Sequence, residues 1–125
     1  MGLFLKEGFT LSNEGLKFND LSDSAKDVAI KAFIPYYVDQ FQHDNLEIIA
    51  SKANNSDMIT INQVLIENKF MDKKKLVDLS YQMSKPLYAV VLGALDDQSY
   101  DESGQAKEEW AKLWSQDEQG LPQED

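Results

Sequence analysis

The chain carries one histidine, no cysteine and 22 acidic side chains, so carboxylates are the groups through which it would do chemistry. His43 and Glu47 stand four apart, a spacing that puts both on one face of a continuous helix and can hold a divalent cation. Two ligands make a weak site, and a solvated histidine is the simpler reading. The absence of cysteine removes disulfides, thiolate zinc sites, CxxC redox chemistry and cysteine nucleophiles. Paired carboxylates can act as general acid and base when burial separates their pKa values. Here the pairs lie in a polar segment, and the chain has no nucleotide loop, nucleophile elbow or zinc motif. Neither enzymatic activity nor a cofactor is expected.

The carboxylates are unevenly placed. The formal net charge is -10. Residues 1–95 hold 12 acidic and 10 basic side chains, whereas residues 96–125 hold 10 acidic and two basic ones. Most of the net charge therefore sits in the last thirty residues. There it comes as five adjacent pairs, Asp96/Asp97, Asp101/Glu102, Glu108/Glu109, Asp117/Glu118 and Glu124/Asp125, interleaved with Trp110 and Trp114. Tryptophan is costly to leave in water and is enriched where proteins bind. Trp110 and Trp114 share a helix face with Leu113, and that face either docks on the core or meets a partner. The candidate partner-binding residues are Asp96, Asp97, Asp101, Glu102, Glu108, Glu109, Trp110, Trp114, Asp117 and Glu118.

The same charge bounds the partners. A protein this acidic lacks the basic surface that direct nucleic-acid binding needs to release counterions, and an anionic membrane would repel it. A basic surface on another protein fits, such as one that itself handles nucleic acid. Lys69 and the run Lys73-Lys74-Lys75 read as a solvated first turn after a helix cap, and they give the molecule a basic corner opposite its acidic end. No stretch approaches the roughly twenty apolar residues of a membrane span, and residues 1–9 lack the pattern of a signal peptide. A cytoplasmic location is the expectation.

The elements that must carry these residues are mostly helices. One domain over residues 1–125 is expected, with an arm at 1–21, a helical core at 22–95 and the acidic segment at 96–125. The fold class is mainly α, a compact bundle of about five helices. Residues 3–18, punctuated by Gly8 and Asn13-Glu14-Gly15, read as a small β-hairpin or an irregular arm. Ser22 begins a helix as its cap, and Pro35 should end or kink it. A second helical stretch follows from Tyr36, with a restart at Asp44 in view. Asn54-Asn55-Ser56-Asp57 reads as a loop, with the next helix from about Thr60. Asp72 caps another, and Ser84-Lys85-Pro86 restarts a segment, Leu87 to Leu95, apolar enough to be central. A final helix is expected between Gly104-Gln105 and Gly120-Leu121-Pro122.

Two stretches resemble proteins of phages and mobile elements. Leu21-Ser22 with Ala25-Lys26 and Ala29 is a pattern of small phage-type proteins. Ala32 through Pro35-Tyr36-Tyr37, Asp39 and Phe41 resembles the helix-proline-tyrosine-tyrosine element of the T7-type antirestriction family. That resemblance covers only 32–41, with a gap. It implies an acidic helical DNA mimic whose carboxylates imitate phosphates and compete for the basic groove of a defence enzyme. The nearly neutral residues 1–95 depart from that family's dense charge, which would confine mimicry to the C-terminal third. The expected function is an inhibitor that binds a host nucleic-acid-handling defence protein. The alternative is a regulatory helical interaction domain or homodimer with no mimicry, contacting through Tyr36, Tyr37 and Phe41.

Overall fold

The computed structural model describes residues 15–114. They form a helical bundle: a 3-10 turn at Phe18–Asp20, then α1 (Asp23–Gln42), α2 (Glu47–Lys52), α3 (Asn55–Glu67), α4 (Lys73–Ala94) and α5 (Trp110–Leu113). The mainly α expectation is met, and no strand occurs among the described residues. Of the N-terminal arm, only its end is described: Leu16 makes a single antiparallel bridge with Tyr100. The hairpin expected further upstream lies outside the described residues.

Local chemistry sets the helix starts. The Ser22 hydroxyl accepts from the Ala25 amide at 3.2 Å, and the Asp72 carboxylate accepts from the Lys75 amide at 2.9 Å. Both satisfy a first-turn donor that has no partner inside the helix. Asn54 does the same for α3, accepting from Ser56 at 2.7 Å. The 54–57 run is therefore a cap and a first turn, where a loop was expected. Thr60, the expected cap, lies inside α3 and bonds back to the Ser56 carbonyl. Short polar side chains suit caps and turns equally, and the apolar residues behind them, Met58, Ile61 and Leu65, are buried at helical spacing.

The helix end allowed for at Pro35 and the restart expected at Pro86 do not occur. α1 runs through Pro35 and α4 through Pro86, so neither helix ends there. A proline inside a helix forfeits one hydrogen bond and crowds the preceding turn. Tertiary packing offsets that cost: Phe33, Ile34, Tyr37 and Val38, on either side of Pro35, are fully buried. Tyr88 and Val91 do the same beyond Pro86. α1 ends at His43, and Asp44 takes a left-handed φ of 56° that turns the chain toward α2. Asp is among the few side chains that tolerate this region.

α4 is the centre, packed against both α1 and α3. Ion pairs Asp27–Lys85 at 2.9 Å and Asp39–Lys73 at 3.3 Å show that α1 and α4 run antiparallel. Asp27 also accepts from the Tyr81 hydroxyl. Lys85 first, then Tyr81 and Lys31, hold its carboxyl down at about 2. Inside, the Tyr37 hydroxyl donates to Asn62 at 2.7 Å, and Ser80 pairs with the Tyr88 hydroxyl at 2.6 Å. Burial pushes the Tyr37 and Tyr88 phenols well above their ordinary range. Tyr37 is wholly buried, and Tyr36 and Phe41 pack half-buried against the same core. The contact face expected around these three residues is thus largely spent within the chain.

Candidate functional site: an acidic ledge fastened to the core

The acidic segment is not a solvated tail over residues 96–109. After α4 the chain folds back across the end of the bundle, held by a few buried anchors. Gln98 is buried and donates to the Glu108 carbonyl at 2.9 Å, while its carbonyl accepts from the Ser99 and Glu108 amides. Tyr100 is 1% exposed, exchanges both backbone hydrogen bonds with Leu16 at 2.8 Å, and sets its ring edge-on to Phe18. Gly104 has φ 96° and lies so close to α1 that a Cβ there would stand 2.0 Å from the Ala25 carbonyl oxygen. Only glycine permits both the angle and the approach.

Trp110 and Trp114 complete the fastening. They are 7% and 3% exposed. Trp110 packs edge-on against Phe33 with centroids 4.7 Å apart and stacks on Tyr36 at 6.1 Å, and Trp114 lies 5.8 Å from Trp110. Such ring pairs add to area burial. Of the two roles open to this face, docking on the core is the one seen, so the two indoles leave the set of residues that can offer their rings to a partner. The helix begins later than expected, at Trp110, and has four residues, because Gly104 to Glu109 are taken up in bends and in the antiparallel bridge of Ala106 with Tyr100. The Tyr100 hydroxyl and Trp110 indole nitrogen are buried without a hydrogen bond among the described residues. The anchoring is therefore mainly apolar.

The acidic pairs divide. Within 96/97, the Asp97 carboxylate, though exposed, pairs with Lys52 at 2.9 Å and accepts from the Trp114 indole N–H at 2.8 Å. Lys52 and then Trp114 hold its pKa below the ordinary carboxylate range. Within 101/102, Asp101 accepts from the Ser103 hydroxyl at 2.6 Å and from the amides of Ser103 and Gln105, fixing a turn that also holds its pKa down. Asp97 and Asp101 thus serve the fold. Asp96, Glu102 and Glu108 are exposed, and their carboxylates make no hydrogen bond or ion pair among the described residues. Glu109 is exposed 3.7 Å from Lys112. The candidates Asp117 and Glu118 lie outside the described residues.

This turn was not among the expected elements, although its signal is present: in Asp101-Glu102-Ser103-Gly104 the aspartate can bond two residues on and the glycine supplies the positive φ. The pairing of Asp97 had no such signal, since Lys52 and Trp114 reach it from distant parts of the chain. At the opposite end, His43 is exposed and bonds the Asp39 carbonyl of its own helix. The His43 and Glu47 spacing does not form a common face, because α1 ends at His43. Among the described residues no group of three or more His, Asp or Glu side chains converges on a possible cation position. No described helix is long and apolar enough to cross a membrane.

No known family model, curated protein or solved structure matches the chain.

Proposed function

We propose that the chain is a protein-binding inhibitor that presents Asp96, Glu102, Glu108 and Glu109 to a basic, nucleic-acid-binding surface of another protein. The observation that carries this reading is the division of the pairs. All four carboxylates of the first two pairs are exposed, but one of each pair is engaged within the chain, Asp97 by Lys52 and Trp114 and Asp101 by the Ser103 and Gln105 amides. The other makes no bond among the described residues, on a segment fastened by Tyr100, Gly104 and Trp110. Negative charge on an ordered support loses little entropy on meeting lysine or arginine, whereas a loose tail must be ordered at that moment. Charge-assisted hydrogen bonds would supply affinity and the net charge of -10 would speed encounter.

A host defence enzyme of the restriction or CRISPR type is the partner this reading puts first, its groove built for phosphates. Mimicry would be local, carried by one edge of an otherwise near-neutral bundle.

The test is capture of basic proteins from a host lysate on the immobilised chain at low salt, with duplex DNA added as competitor. The wild type should capture a DNA-binding protein that salt or DNA releases. The variant Asp96→Asn, Glu102→Gln, Glu108→Gln should keep its thermal unfolding midpoint and capture none. Undiminished capture by that variant would sink the proposal. A second reading, a regulatory interaction domain, is favoured by one observation: Ile59, Ile66, Phe70, Met83 and Val90 are large apolar side chains more than half exposed.

A further inference from the structure

The end of the bundle opposite the ledge combines four features. First, an open cleft of about 480 Å³ lies between the end of α1 and the turn into α4, lined by Phe41, Gln42, Asp44, Lys69 and Leu76. Second, Phe70 in that turn is 79% exposed, the most exposed large apolar side chain among the described residues. Third, eight of the eleven described lysines are engaged, with carboxylates, carbonyls, aromatic faces or other groups. The three that are not, Lys69, Lys74 and Lys75, all sit at this corner. Fourth, Lys73, Lys74 and Lys75 occupy the first turn of α4, where the helix dipole is already positive. Asp96 and Asp97 follow its negative end. Apart from the Asp72 cap, the charges at both ends of α4 have the sign that costs helix stability, which is the kind of local conflict a sequence keeps for a purpose beyond folding.

We infer that this corner docks the acidic ledge of a second copy, so that copies associate head to tail. The uncommitted lysines Lys74 and Lys75 in the first turn of α4 and the uncommitted carboxylate of Asp96 just past its end are complementary, and the 22-residue helix between them is about 33 Å long, with Glu102 and Glu108 on the segment that follows Asp96. One copy's ledge can thus reach the next copy's corner while its own corner stays open, a heterologous contact that extends rather than closes. Beside Glu108 and Glu109 the ledge offers Ala111 and half-buried Leu113 as apolar surface for Phe70. Asp39, Asp44, Glu67, Asp72 and Asp78 offset Lys69, Lys73, Lys74 and Lys75, so the corner carries no net positive charge and the contact depends on close pairing and not on long-range attraction.

That balance gives the association a distinctive salt dependence. Each copy carries -10, and at about 0.01 M salt, where screening extends to roughly 30 Å, whole-molecule repulsion opposes contact. At about 0.1 M the screening length is roughly 10 Å, so distant charges are silenced while contacting pairs persist. At about 1 M the pairs themselves are screened. Sedimentation equilibrium at high protein concentration should show masses above the 14.2 kDa monomer at the intermediate salt and smaller ones at both extremes.

Two surface variants make the test directional. Phe70→Ser with Lys74→Gln and Lys75→Gln removes the corner, and Glu102→Gln with Glu108→Gln removes the ledge. Each alone should weaken association at least tenfold, and mixing them should restore it only as far as a one-to-one dimer, because one intact surface remains on each. A wild type that stays monomeric at all three salts overturns the inference. So does association that survives either variant, which would place the contact on the apolar face of Met83 and Val90. The proposed inhibitor function shares the ledge but not the corner. The corner variant should therefore still capture the basic partner, and the two proposals fail separately.

Discussion

Asp97 and Trp114, seventeen residues apart, are joined by a 2.8 Å hydrogen bond from the indole N–H to the carboxylate, and Lys52 of α2 pairs with the same carboxylate at 2.9 Å. One acidic side chain thereby ties the start of the ledge, its last aromatic anchor and a neighbouring helix together. Its chain neighbour Asp96 stays in solvent, so adjacent carboxylates in one pair have opposite employment. This is what converts an acidic stretch into a supported surface.

Because Lys52 and Trp114 favour the charged form, the folded pKa of Asp97 lies below its unfolded value. Its contribution is fully present above the ordinary carboxylate range and is lost as pH falls through the folded pKa. Asp97→Ala should cost about 1–2 kcal/mol at neutral pH, and Asp97→Asn about 1 kcal/mol or less, since the amide still accepts from Trp114. Urea unfolding at pH 7 and again below pH 3 should show the Asp97→Asn difference shrinking at the acid end.

Gly104 has no room for a side chain. Gly104→Ala should destabilise the protein by about 2 kcal/mol or more, through both the left-handed angle and the collision with the Ala25 carbonyl. Tryptophan fluorescence would report the same change, because Trp110 is fastened by the segment that must shift. An unchanged unfolding midpoint would refute the close approach.

Pro35 is exposed within α1, so its ring buries little and its missing amide leaves the Lys31 carbonyl without a helical donor. Pro35→Ala should stabilise the fold by about 1–3 kcal/mol. Urea denaturation measures it directly, and a loss of stability would mean that the proline ring packs in a way its exposure denies.

Tyr37 separates the core from a contact surface. Tyr37→Phe should cost about 1 kcal/mol through the lost bond to Asn62, and Tyr37→Ala about 3–5 kcal/mol through the cavity. Neither should alter the association state of the molecules that remain folded, as read by sedimentation.

Helix content, the caps at Ser22 and Asp72 and the apolar run that becomes the end of α4 were legible because each depends on nearest neighbours along the chain. So was the localisation of charge after Leu95. The helix does not end at Pro35, because the local rule counts the lost hydrogen bond but not the wholly buried Phe33, Ile34, Tyr37 and Val38 that hold α1 together across it. The 54–57 run misled because residues that cap a helix are the residues that make a loop.

By itself the sequence determined a helical, acidic chain with its carboxylates gathered toward one end, since composition and period are local properties. Only the tertiary structure decided which carboxylates are free. Lys52 comes from α2 and Trp114 from the end of α5 to claim the Asp97 carboxylate, while Lys17 reaches only the backbone carbonyl of Asp96 and leaves its carboxylate unpaired among the described residues. Pairing between charges is a matter of distance in space, and residues brought within 3 Å by folding carry no mark of it in their order along the chain.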